Sequence, residues 1–150
     1  MVTFVLLLAV NWVAFFDLQG GSFARKLLDL RVMGYTVPEA EMFARGLSFE
    51  EKTAYREVYL ILDFVFIGFL CALLYALSQA ITSCRIRRGL LVATVVFAAM
   101  DLSENTLVPQ IIDGDFELAK WASLATQLKF AALGIAAALV VMSWRKGRFE

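Results

Sequence analysis

VVFAAMDLSENTLV, residues 95–108, decides how this chain is read. The stretch is apolar enough for a membrane-spanning helix, yet Asp101, Glu104 and Asn105 stand in its middle. These three occupy positions i, i+3 and i+4, so a helix puts them on one face. A charge turned toward lipid costs several kcal/mol, so that face must point into a bundle of helices. The stretch therefore continues a span whose polar face meets other polar groups.

The rest of the chain supports a membrane reading. Of its 150 residues, 61% are hydrophobic, against about 45–50% in ordinary soluble domains. The apolar residues come in four blocks, and we expect spans at about 2–18, 57–81, 89–112 and 118–144. A hydrocarbon core of about 30 Å takes about 20 helical residues. The first block is short but sufficient if it runs to Leu18. It has no basic leader and no small-x-small cleavage site, so it is read as a span and not as a secretory signal. The expectation is one all-α domain, residues 1–150: an integral membrane four-helix bundle. A short helical extracytoplasmic cap, within the outer segment 22–55, lies between spans one and two.

Two capping boxes structure that segment. TVPE at 36–39 predicts a short helix running to Arg45 and stopped by Gly46. SFEE at 48–51 predicts the start of a helix that continues into span two. SFARKLLDLRV at 22–32 is a further short helical candidate. Basic residues set the orientation. Arg85, Arg87 and Arg88 lie between spans two and three, and Arg145, Lys146 and Arg148 follow span four. Both groups should face the cytoplasm, with both termini. DGDFE at 113–117 should face the other side.

Composition also removes functions. The net charge is zero, which excludes a broadly basic nucleic-acid surface. Neither GxGxxG nor GxxxxGK[ST] occurs. There is no histidine, which removes Ser-His and Cys-His catalysis and nearly all zinc chemistry. Cys71 and Cys84 form no CxxC and read as structural thiols. No metal and no cofactor is expected.

Depth brings the polar residues together. Counted from the outer surface at about 1.5 Å per residue, Asp63 is roughly 10 Å down, Glu104 about 12 Å, and Asp101 and Lys129 about 16 Å. Gln127 is slightly shallower than Lys129, and Asp17 ends span one on the outer side. The cytoplasmic halves are nearly free of ionisable groups. Lys129 needs a carboxylate partner, and three carboxylates against one lysine leave surplus negative charge. The candidate ligand-binding set is Asp17, Asp63, Asp101, Glu104, Asn105, Gln127 and Lys129. It would form a polar pocket in the outer half of the bundle. The alternative is structural: polar side chains hydrogen-bond membrane helices together, at about 0.6–2 kcal/mol per contact.

YTVPEAE, REVYLILDFVF, MDLSEN and TQLKF together resemble a pattern in small uncharacterised four-span membrane proteins, over residues 35–130. That likeness implies the architecture and the choice of polar residues, and no activity. FFDLQ at 15–19 and Asp63 on span two resemble the EXPERA family, which includes the sigma-2 receptor and sterol isomerases. This resemblance implies a four-span bundle in which Asp17 and Asp63 line a pocket for a lipophilic ligand. The absence of histidine departs from the isomerase members.

The favoured expectation is a membrane protein binding a small lipophilic or amphipathic molecule, or a membrane lipid. A second reading is an enzyme using Asp101 and Glu104 for acid–base chemistry, which requires two carboxyls of separated pKa. Two more are proton or cation movement and an accessory subunit of a larger complex. The small residues of span four (Ala131, Gly134, Ala136, Ala137 and Ala138) allow close helix approach, within the chain first of all, or in a homodimer.

Overall fold

The computed structural model describes residues 28–145 and 147. The expected first span, with Asp17, and the start of the outer segment lie outside the described residues. Among the described residues the chain is all-helical. After a 3-10 turn at Leu28–Leu30 come α1 (Val37–Gly46), α2 (Phe49–Gln79), α3 (Cys84–Ile112) and α4 (Ala119–Arg145). The last three are long and apolar enough to cross a membrane. At 31 residues, α2 is about 46 Å long, so it overreaches a bilayer core of about 30 Å.

Both capping boxes mark helix starts. Glu39 accepts the backbone N–H of Thr36 at 2.7 Å and its hydroxyl at 2.8 Å. Those bonds hold the Glu39 carboxyl below the usual carboxylate range. Ser48 Oγ accepts from Glu51 N at 3.2 Å, and Ser48 N donates in turn to Glu51 Oε2 at 2.8 Å. From there α2 runs without a break into the apolar stretch, through one π turn at Tyr55–Tyr59. The rings of Tyr55 and Tyr59 stack there at 5.0 Å. Ser48→Ala should destabilise the fold by about 1 kcal/mol, read as a shift of the unfolding midpoint in micelles.

The third helix begins ahead of the expected span. Arg85, Arg87 and Arg88, expected between spans, belong to the first turns of α3, which opens at Cys84. Cations at a helix N-terminus oppose its dipole by only about 0.3–1 kcal/mol each. A helix of 29 residues easily carries that cost.

Helices α3 and α4 are antiparallel, joined by a short turn after Ile112, and pack along most of their length. On α3 the buried positions Leu90, Thr94, Phe97, Asp101, Glu104 and Val108 alternate at spacings of four and three. That is the rhythm of a left-handed helix seam. The facing side of α4 is largely alanine, serine and threonine, which lets the two backbones approach. α2 covers another side of α3, and α1 lies against the ends of α3 and α4 near their turn.

The apolar core is divided in two. One cluster joins Tyr35, Phe43 and Tyr55 to Val108, Ile111 and Ala122. The other joins Ile67, Leu70 and Leu74 to Leu90, Phe97 and Ala132. Between them, in the sequence of both α3 and α4, lie the buried residues Asp101, Glu104, Asn105, Ser123, Thr126 and Lys129, so a polar layer separates two greasy ones.

Candidate functional site

The layer is built on α3, which sends side chains to both neighbours. Toward α4, Asp101 Oδ1 accepts from Lys129 Nζ at 2.6 Å. The same ammonium pairs with Glu104 Oε2 at 2.5 Å. The hydroxyl of Thr126 donates to Glu104 Oε1. That hydroxyl also lies 3.0 Å from the Ala122 carbonyl, and its single proton serves one acceptor at a time. Toward α2, Asn105 Nδ2 donates to Asp63 Oδ2 at 2.6 Å. Asp101, Glu104, Asn105, Thr126 and Lys129 are buried, while Asp63 is half-buried.

Local sequence explains the placement. Asp101 and Glu104 are consecutive seam positions on α3, and Lys129 and Thr126 are seam positions three apart on α4. In the antiparallel pairing Asp101 meets Lys129 and Glu104 meets Thr126. Asn105 is one residue beyond Glu104, about 100° around the helix, and so turns toward α2. One turn on, Pro109 lies inside α3. It lacks the N–H that would otherwise bond the Asn105 carbonyl.

The structure thus brings together Asp63, Asp101, Glu104, Asn105 and Lys129. Gln127 is elsewhere. Residues two apart on a helix point about 200° apart, so Gln127 cannot share the face of Lys129. It is exposed and lines a different groove, of about 910 Å³, with Val37, Glu117, Lys120, Trp121 and Leu124. Asp17 lies outside the described residues. Sequence reasoning missed Thr126. Its signal was the i, i+3 spacing to Lys129, which puts both on one face.

Among the described residues the cluster holds three carboxyls and one ammonium. Lys129 contacts two of the three, and among the described residues Asp63 forms no ion pair. Asp101 and Glu104, the acid–base candidates, are enclosed and engaged with the same lysine. Among the described residues no group of histidine, cysteine, aspartate or glutamate is arranged to hold a metal ion.

Comparison of the chain with family models, curated proteins and solved structures finds no match.

Proposed function

We propose that this protein binds a small amphipathic or lipophilic molecule carrying a cationic group, and that Asp63 recognises the cation. The observation that supports this reading is the division of labour within the polar layer. Lys129 engages Asp101 and Glu104, whereas Asp63 is held by a neutral amide and stays half-buried at the edge between α2 and α3. A carboxylate at that depth, in excess of the available lysine, attracts a desolvated ammonium. Phe64 and Phe69 on α2 are exposed and offer apolar surface for the ligand's body. In this reading the fold is a four-span bundle with both termini cytoplasmic. The segment ahead of α2 forms a cap over the outer half, where the cation site lies.

Asp63→Asn tests the reading, because asparagine keeps an acceptor for Asn105 and removes only the charge. The probe is a hydrophobic tertiary amine, compared with its uncharged carbon isostere. The amine should raise the melting temperature of the wild-type protein in micelles, and the isostere should not. In the variant, affinity for the amine should fall about 10–100-fold, the worth of a charged hydrogen bond. Equal shifts by amine and isostere, or an unchanged affinity in Asp63→Asn, would leave the layer as helix cement.

A further inference from the structure

The groove that contains Gln127 lies on the outer flank of α4, away from the polar layer. Glu117, in the 3-10 turn Phe116–Leu118 that leads into α4, and Lys120, in the first turn of α4, line it together. Both are exposed, and among the described residues neither forms an ion pair. Trp121 lines the same groove and is 65% exposed. Its indole has an apolar body and a polar N–H, the chemistry of a membrane–water interface.

The apolar surface does not stop there. Leu124, Leu128 and Ile135 follow Trp121 at helical spacing and are all exposed. Taken at about 100° per residue, these four fall on one stripe of α4. A second groove, of about 220 Å³, opens between α3 and α4 on this stripe. Leu128, Ala131 and Ile135 line it from α4, and Val92 and Val96 from α3. From Lys120 to Ile135 the helix rises about 22 Å. That exceeds the half-thickness of a hydrocarbon core, about 15 Å.

The 3-10 turn Phe116–Leu118 and the first turn of α4 therefore present an anion, a cation and an aromatic ring together, and an apolar track runs inward along α4 from there. We infer that this surface is a binding site for one zwitterionic glycerophospholipid. Lys120 takes the phosphate, Glu117 takes the amine, Trp121 packs on the glycerol region, and an acyl chain follows Leu124 into the groove at Leu128. The side-by-side opposite charges select the headgroup. An anionic lipid would set its negative charge against Glu117, and a lipid lacking phosphate would leave Lys120 unused. The site is separate from Asp63 and does not depend on the ligand proposed there.

The test uses the full chain in micelles with three short-chain probes: dihexanoyl phosphatidylethanolamine, dihexanoyl phosphatidylglycerol and dihexanoyl glycerol. Binding is read by native mass spectrometry and by thermal shift. The wild type should prefer the ethanolamine lipid over the glycerol phospholipid about two- to fivefold, the range for solvent-exposed charge pairs. Glu117→Gln should erase that preference. Lys120→Gln should weaken both phospholipids and bring the glycerol phospholipid down to the level of the neutral diacylglycerol. Both side chains are exposed, so the lipid-free melting temperature should not move in either variant. Asp63→Asn should keep the headgroup preference, which separates this site from the cation site. The inference is overturned if the wild type binds all three probes alike, the mark of boundary lipid only. It is equally overturned if both variants retain the wild-type preference.

Discussion

Lys129→Met will destabilise the protein by about 3–5 kcal/mol, the range measured when one partner of a buried ion pair is removed. Lys129 is the cation that two buried carboxyls share. Its ammonium is 2.6 Å from Asp101 Oδ1 and 2.5 Å from Glu104 Oε2, and both carboxyls are almost fully enclosed. Methionine fills a similar volume, so lost packing contributes little. What remains is negative charge in a medium of low dielectric with no counter-charge from α4. The seam between α3 and α4 must then open or admit water. Lys120→Met is the control on the same helix: an exposed position whose replacement should change stability by no more than about 0.5 kcal/mol. The triple variant Asp101→Asn, Glu104→Gln, Lys129→Met should recover most of the loss, because an uncharged layer has nothing left to neutralise. The measurement is reversible denaturant unfolding in micelles. If Lys129→Met unfolds at the wild-type midpoint, Lys129 is not what holds the two carboxyls between α3 and α4.

The sequence made much of this layer legible, because helix spacing is a local property. MDLSEN keeps Asp101, Glu104 and Asn105 within about 100° of one another around a helix, and a lysine at bilayer depth had to find a carboxylate. The continuous α2 was equally readable from the Ser48 box. Two features needed the partner helix. Which residue of α4 opposes Glu104 depends on the length and shape of the turn after Ile112, and that register identifies Thr126. Depth alone also grouped Gln127 with Lys129. Depth gives one coordinate of a helical residue and the angle about the axis gives the other, and the angle places Gln127 on another flank. The arginines of α3 show the difference between a span and a helix. Charge density marks where a span leaves the hydrocarbon, whereas the backbone can stay helical through the interface and beyond it.

Gly34→Ala should cost about 2–4 kcal/mol, a large effect for one methyl group outside the spans. Gly34 has φ +78°, a conformation that L side chains rarely adopt. It closes the turn that begins at Arg31, donating its N–H to the Arg31 carbonyl at 2.6 Å. A Cβ there would also run into α4, at Gln127 Nε2 and within 2.5 Å of Ser123 Oγ. The two collisions differ. Gln127 is exposed and can swing aside, so Gln127→Ala in the alanine background should return little. Ser123 is buried and its Oγ accepts the backbone N–H of Tyr35 at 2.9 Å. Pushing it away strands a buried donor, which alone costs about 1–3 kcal/mol. Gly34→Asn separates the two causes. Asparagine tolerates positive φ but carries the same Cβ, so it should recover at most the conformational part. Faster trypsin cleavage at Arg31 and Arg45 in both variants would show that α1 has loosened from α4. A wild-type cleavage rate and melting temperature in Gly34→Asn would mean that close approach to Ser123 does not fix α1, and that only the turn requires glycine.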